Sequence, residues 1–211
     1  MNLRVPYTEG TRSETGQRDV DISGLGDMSL TALLTPWSSD DSVLGGLSFN
    51  VGFILPTGEP RDNPRVGGVN PSVFQLGTGT TQLTLGARYA GKIEDWSYFT
   101  SLNLTAPLYE SSKEFLPAET LFFRAGVGRS LSENLSAKLS LDLFHGGRDE
   151  FQGVEIGDTG STTLSITPSL IYSINDDLSA SLSVAVPVYR DVNETALAVG
   201  SLWSLGFSYS F

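Results

Sequence analysis

The sequence predicts an all-β fold, a transmembrane antiparallel up-and-down β-barrel of about ten strands. Three features support this prediction. Apolar and small polar residues alternate along long segments, short turns alternate with long loops, and the chain ends on an aromatic residue. The length of 211 residues suits one domain, so we expect residues 1–211 to form a single barrel. Barrels of about eight or about twelve strands remain alternatives.

The final segment shows the alternation most clearly. From Leu197 to Phe211 every odd position except Ser201 is apolar or aromatic, while the even positions are mostly Ser and Gly. Such a period of two indicates a strand whose faces meet different environments. These segments run about 10 to 14 residues, longer than a typical soluble strand and long enough to cross a membrane. Because the polar face carries few charges, a membrane barrel is favoured over a soluble β-sandwich.

The turn pattern sets the expected topology. We expect strands near residues 1–7, 25–37, 43–55, 75–90, 96–108, 118–131, 135–145, 161–174, 177–189 and 197–211. The short polar connections predict periplasmic turns, at residues 38–41, 91–95, 132–134 and 175–177. The long connections predict extracellular loops, at residues 7–24, 56–74, 109–117, 145–160 and 190–196. The first and last strands should pair, because lipid cannot satisfy a free strand edge.

Aromatic residues collect near the short-turn end of these strands. They are Trp37, Tyr89, Trp96, Tyr98, Tyr172, Tyr209 and Phe211. Aromatic rings favour the membrane–water interface, so the sequence predicts one aromatic girdle at this end.

Composition excludes several classes of function. The net charge of −11 argues against a nucleic-acid partner, which needs clustered Lys and Arg. The absence of cysteine and the single histidine exclude a thiolate or multi-histidine metal site, and we expect no metal or cofactor.

The beginning of the sequence lacks the apolar core of a signal peptide. We therefore expect a processed or re-engineered mature chain with an added methionine and a shortened first strand.

The positions expected to face the lumen are mostly small, with a few long polar residues among them. One interpretation is a selectivity constriction, in which basic residues oppose acidic ones: Arg88, Arg124 and Lys138 against Asp27 and Asp142. The other is a structural salt-bridge network that plugs the lumen. We favour the structural interpretation, but the small residues around these charges keep a pore open as an alternative.

Two further sites are weaker candidates. Four carboxylates share one long loop and could bind Ca²⁺, namely Asp149, Glu150, Glu155 and Asp158. Since no calcium-loop spacing is present, a solvated acidic surface is the favoured interpretation.

His145 opens the same loop near Asp142 and could form an Asp–His pair. A single histidine at a rim is more often incidental, so we expect no catalytic residues and no enzyme.

The end of the chain carries a recognisable motif. Ser204-Leu-Gly206-Phe-Ser-Tyr209-Ser-Phe211 resembles the C-terminal assembly signal of bacterial outer-membrane barrels. The resemblance implies recognition by the barrel-assembly machinery. It also implies location in the bacterial outer membrane, in contact with the lipid bilayer and lipopolysaccharide.

A second resemblance covers the first half of the chain. It rests on the segments Ser23-Gly-Leu-Gly-Asp27, Leu55-Pro-Thr-Gly58, Leu76-Gly-Thr-Gly79 and Gly86-Ala-Arg-Tyr89. Together they resemble the family of outer-membrane proteins named for the meta pathway of phenol degradation. The resemblance implies a channel or transporter for aromatic or other hydrophobic compounds.

The leading functional hypothesis is therefore a channel for passive uptake of a small hydrophobic or aromatic solute. The alternative is a closed structural or surface-interaction barrel whose acidic loops make the contacts. An outer-membrane enzyme is less favoured.

Pro168 lies within a predicted strand, where we expect a bulge that weakens the wall locally.

Overall fold

The computed structural model describes residues 2–12, 20–38, 45–58, 62–63, 68–69, 76–193 and 200–209. Its strands, in chain order, are β1 (Asn2–Arg4), β2 (Tyr7–Arg12), β3 (Val20–Leu25), β4 (Met28–Ser38), β5 (Gly46–Leu55), β6 (Asp62–Asn63), β7 (Gly68–Val69), β8 (Gln82–Ile93), β9 (Trp96–Pro107), β10 (Phe115–Leu116), β11 (Thr120–Ser130), β12 (Leu135–Gly146), β13 (Glu150–Phe151), β14 (Val154–Glu155), β15 (Ser161–Ser173), β16 (Leu178–Val192) and β17 (Leu202–Tyr209). Within these residues no helix is long and apolar enough to cross a membrane.

Ten of the strands form one antiparallel sheet, in the order β1-β4-β5-β8-β9-β11-β12-β15-β16-β17. Each strand pairs with the next one along the chain, so the sheet is an up-and-down meander. The ten predicted strands correspond to these ten in the same order, which confirms the predicted strand count. The remaining short strands lie in the long loops and were not predicted.

Some predicted boundaries were wrong. β8 begins at Gln82 instead of residue 75, because the glycine-containing segment from Leu76 to Thr81 forms part of the loop. The last strand begins at Leu202 instead of residue 197, and β16 continues to Val192 instead of residue 189.

The main strands have two distinct faces. On β12, Leu139 and Leu141 are each 50% exposed, whereas Ser140 and Asp142 are each 6% exposed. We call the side of Ser140 and Asp142 the enclosed face and the side of Leu139 and Leu141 the outer face. Residues paired across neighbouring strands share a face, so the register assigns each residue of the main strands to the enclosed face or the outer face. An outer surface of exposed apolar side chains suits hydrocarbon rather than water.

The edges of the sheet are β1 and β17. β1 is short and pairs with Ser29–Thr31 of β4. Among the described residues no ladder joins β1 to β17, so the predicted closing pair stays a prediction. Outer-face side chains of β17 are among the most exposed in the described chain, with Trp203 at 69%.

The aromatic residues lie near the short turns. Trp96 follows the turn between β8 and β9, and Tyr89 and Tyr98 pack on the outer face with ring centroids 5.9 Å apart. The guanidinium of Arg129 lies 5.2 Å from the centre of the Trp96 ring. Trp37, Tyr172 and Tyr209 also lie close to the ends of their strands at this side. Phe211, the last predicted member of the girdle, lies outside the described residues.

At the opposite end, two long loops form a small sheet of their own. β10 pairs with β13, and β13 pairs with β14, so the loop after β9 contacts the loop after β12. Phe115 is 1% exposed within this sheet. The Asp149 carboxylate accepts a hydrogen bond from the Ala118 amide at 2.8 Å, which fixes one loop to the other.

Candidate functional site

A row of polar side chains crosses five neighbouring strands on the enclosed face. Arg88 pairs with Ser101, Ser101 with Arg124, Arg124 with Asp142, and Asp142 with Ser165. Because adjacent strands lie about 4.8 Å apart, the Cα atoms of Arg88 and Arg124 are roughly 10 Å apart. The register thus gathers Arg88, Arg124 and Asp142, which are far apart in the sequence, into one band.

The centre of this row is a bidentate ion pair. Arg124 Nε donates to Asp142 Oδ1 at 2.7 Å, and Arg124 Nη2 donates to Asp142 Oδ2 at 2.9 Å. The hydroxyl of Thr167 donates to Asp142 Oδ2 at 2.7 Å. A fork of this kind is stronger and more directional than a single contact. The Arg124 guanidinium also lies 5.3 Å from the centre of the Phe122 ring, so its orientation is fixed.

The other two basic candidates lack such a partner. Within the described residues neither Arg88 nor Lys138 forms an ion pair. Arg88 has Ser48 and Ser101 as its cross-strand neighbours. Lys138 lies on the strand of Asp142, four residues closer to the short turns, which corresponds to about 13 Å. Both side chains belong to the enclosed face and are exposed to the space inside it.

Asp27 lies away from this row, although it was expected to oppose the basic residues. It precedes β4 at the long-loop end, about 20 Å along the strands from Arg88. Its carboxylate accepts hydrogen bonds from the Gly58 amide at 2.9 Å and from the Thr78 amide at 2.9 Å. The Thr78 hydroxyl donates to the same oxygen at 3.1 Å. Asp27 therefore ties two loop segments together at the barrel mouth.

Two glycines allow the loop segments to approach at this point. A Cβ atom on Gly77 would overlap the carbonyl oxygen of Gly58 and the carboxylate of Asp27. Thr57 adds a further link, because its hydroxyl accepts a hydrogen bond from the Met28 amide at 2.8 Å. We call Asp27, Thr57, Gly58, Gly77 and Thr78 the mouth clasp. The clasp gives a physical account of the Leu-Pro-Thr-Gly and Leu-Gly-Thr-Gly segments.

Two asparagines were missed by the sequence analysis. Asn50 and Asn103 pair with Gly86 from either side, and a Cβ atom on Gly86 would meet both carboxamides. Gly86 precedes Arg88 by two residues, so the carboxamides lie next to the basic row on the enclosed face. Only the register brings them together, and the sequence of each strand alone gave no signal.

The weaker candidates have other partners. His145 Nδ1 lies 2.8 Å from the Thr162 hydroxyl and belongs to the outer face, so it faces away from Asp142. In the acidic loop, Glu155 pairs with Arg148 at 3.2 Å, and Asp149 binds Ala118 as described above. The described residues contain no group of three His, Cys, Asp or Glu that could hold a metal ion.

The predicted bulge at Pro168 was misplaced. The shift of register lies between Leu164 and Ser165, and β15 pairs regularly with β16 both before and after Pro168, at Ile166 and Ser169. A proline in an extended conformation loses one ladder hydrogen bond without inserting a residue, which explains why the register continues.

Most residues of the predicted assembly signal lie on β17. Ser204 and Gly206 pair with Ser183 and Ser181 on the enclosed face, and Tyr209 lies on the outer face opposite Leu178. Phe211, the terminal residue of the signal, lies outside the described residues. Recognition by the assembly machinery stays a prediction.

The two-faced meander and its polar enclosed face define the fold as an outer-membrane-type β-barrel. Residues 3–207 match the family described as "Putative MetA-pathway of phenol degradation", and the chain belongs to this family. The crystal structure of an outer membrane channel from Pseudomonas putida F1 is similar in fold, with a TM-score of 0.76 and 15% sequence identity. The match covers 98% of this chain and 74% of that one. A comparison with curated protein sequences gave no match. The predicted family and fold class are thus confirmed.

Proposed function

We propose that the chain is an outer-membrane channel through which small solutes diffuse passively. One observation carries the proposal, namely that the enclosed face is lined mainly by small residues on every long strand after β4. They are Ser48, Gly52, Thr84, Gly86, Ser101, Gly126, Gly128, Ser140, Ser165, Thr167, Ser181, Ser183, Ser204 and Gly206. A solid barrel core would instead use large side chains here, because an eight-stranded barrel is just filled by its own side chains.

The proposed solute is small and hydrophobic or aromatic. Family membership supports this class, since the family is named for phenol degradation. The enclosed face also carries three phenylalanines, Phe99, Phe122 and Phe144, in register with the polar row or close to it. Their rings offer apolar contacts to a passing solute within an otherwise polar lumen. Diffusion through such a lumen needs no cofactor, and no catalytic step is part of the proposal.

A closed structural barrel is the second candidate. The observation that favours it is the Arg124–Asp142 pair with Thr167, because a fixed network can narrow the lumen as well as select solutes. The linked loops beyond β9 and β12 could then serve as a surface for interaction. The two candidates differ in whether solutes cross the folded barrel.

A solute-flux assay separates these candidates. Purified protein would be refolded into vesicles, and entry of small neutral polyols and aryl glycosides, which lipid alone does not pass, would be followed by vesicle swelling. Ser101→Trp places a large ring on the enclosed face, whereas Leu102→Trp places it on the outer face of the same strand. If the chain is a channel, vesicles with the wild-type protein should swell. Ser101→Trp should reduce this swelling, and Leu102→Trp should leave it unchanged. Equal leak through wild type and protein-free vesicles would favour the closed barrel.

Location in the outer membrane and assembly by the barrel-assembly machinery complete the proposal. The exposed apolar outer face supports a membrane environment, and the resemblance of the last strand to the assembly signal supports the route of insertion. Lipopolysaccharide and bilayer lipid would then contact the outer face. Fractionation of cells that express the chain tests this location directly.

A further inference from the structure

We infer that the lumen selects small organic anions, in particular carboxylates with an apolar body, and that Arg88 is the residue that binds them. This inference rests on the proposed channel function and deepens it. Uncharged aromatic solutes would still pass, but the anionic form would be concentrated inside the barrel.

Charge is unevenly distributed over the enclosed face. On the described main strands the enclosed face carries six basic side chains and one acidic side chain. The basic ones are Arg4, Arg88, Lys92, Arg124, Lys138 and Arg190, and the acidic one is Asp142. The whole chain has a net charge of −11, so the lumen has the opposite sign to the protein as a whole. A passage lined by one sign of charge attracts ions of the other sign.

The carboxylate of Asp142 is already neutralised by its partners. Both of its carboxylate oxygens accept hydrogen bonds from Arg124, and Thr167 adds a third. At 6% exposure Asp142 offers little to a mobile cation in the lumen. Asp27, the other acidic candidate, is bound to loop amides at the mouth. Among the described residues of this face, the charges that lack such a partner are therefore basic.

The immediate surroundings of Arg88 suit a bound anion. Its two cross-strand neighbours, Ser48 and Ser101, are short, so they leave space over the strand for its guanidinium. Guanidinium presents a planar fork of donors that matches a carboxylate. Asn50 and Asn103 flank Gly86, two residues from Arg88, so their polar carboxamides lie beside the guanidinium. Within the described residues Arg88 has no ion pair that would compete for an incoming anion.

Two phenylalanines offer contacts to the apolar body of the solute. Phe99 lies on β9 two residues from Ser101, and its ring covers Gly126 on the neighbouring strand. Phe122 lies two residues from Arg124 and supports that guanidinium. A carboxylate bound at Arg88 would place an attached ring or alkyl group near these phenylalanines. The site thus combines a cation with an aromatic surface, as recognition of an amphiphilic anion requires.

Ion selectivity in a planar bilayer tests the inference. Wild-type protein in a potassium chloride gradient should give a reversal potential that shows preference for chloride. Arg88→Gln should lower the chloride-to-potassium permeability ratio roughly tenfold, because a unit charge about 6 Å away in water favours chloride and disfavours potassium by about threefold each. Arg129→Gln is the matched control, because Arg129 lies on the outer face beside Trp96 and should leave the ratio unchanged.

Block by benzoate, used as the probe carboxylate, provides the second readout. Benzoate should reduce the chloride current through the wild type in a saturable manner, and Arg88→Gln should need several times more benzoate. Benzyl alcohol, which has the same ring and no charge, should block both proteins weakly and equally. Current steps with preference for potassium, or equal block of both proteins by benzoate, would overturn the inference and leave the channel proposal standing. A correctly folded barrel without conductance would overturn both.

Discussion

Asp27 and Thr78 are 51 residues apart in the sequence, yet one carboxylate oxygen of Asp27 accepts hydrogen bonds from the Thr78 amide at 2.9 Å and hydroxyl at 3.1 Å. The other oxygen binds the Gly58 amide, 31 residues away, at 2.9 Å. One side chain therefore holds the loop after β5 at both of its described ends.

Replacement of Asp27 by alanine should destabilise the barrel. Three hydrogen bonds to a charged group would be lost and two backbone amides left without their acceptor, so the free energy of unfolding should fall by about 2–4 kcal/mol. Asp177→Ala removes a carboxylate from an exposed turn and serves as the control. Urea unfolding in lipid vesicles, followed by tryptophan fluorescence, measures both. Equal stability of the two variants would show that the clasp contributes nothing.

The Arg124–Asp142 pair should show energetic coupling. Either Arg124→Gln or Asp142→Asn breaks the fork, whereas the double variant removes both charges together. A double-mutant cycle should give about 1–3 kcal/mol of coupling, less than for a fully buried pair because the Arg124 side chain is 41% exposed. Additive single effects would contradict the geometry of the fork.

The two faces of β9 should respond differently to charge. Leu102→Lys would place an ammonium group in the lipid near the middle of the strand, which should lower stability by about 2–4 kcal/mol. Ser101→Lys, on the enclosed face of the same strand, should lower stability less, because its charge meets water and its repulsion from Arg88 and Arg124 is screened there. Urea titrations of the two variants in the same lipid provide the measurement. A larger loss for Ser101→Lys would reverse the assignment of the faces.

The final aromatic residue should matter for insertion in cells. Phe211→Ala should reduce the amount of folded protein in the outer membrane, because the resemblance assigns this residue to the assembly signal. Phe207→Ala is the control, since it removes an aromatic ring from the outer face of β17 without altering Phe211. Heat-modifiable migration of outer-membrane fractions reports the folded amount. Unchanged insertion of Phe211→Ala, or an equal loss in both variants, would count against the signal.

The strands were predictable because their signal is local. Alternation along Leu135–Gly146 is visible without knowledge of any partner, and the same holds for the other long strands of the main sheet. The same period predicts which positions face the lumen, and the register places Arg124 and Asp142 opposite each other on one face of the sheet. Strand ends were harder to predict where a glycine-rich loop precedes the strand, as before Gln82.

The partners of the polar residues were not predictable to the same degree. Asp27 was grouped with the basic residues by charge alone. Its carboxylate oxygens instead accept hydrogen bonds from the amides of Gly58 and Thr78, which only the fold of the loops brings close to it. Asn50 and Asn103 meet across Gly86 only once the register is known. Local period gives the face of a residue, but contacts between strands depend on the register of the whole sheet.

Single-channel recording of the refolded protein in a planar bilayer tests the central claim most directly. The account predicts discrete, reproducible current steps, because small residues on the enclosed face leave a continuous water-filled lumen beside the Arg124–Asp142 pair. Ser101→Trp should reduce the size of these steps, and Leu102→Trp should not. The absence of current from a barrel that is verified as folded would contradict the account and favour a closed structural barrel.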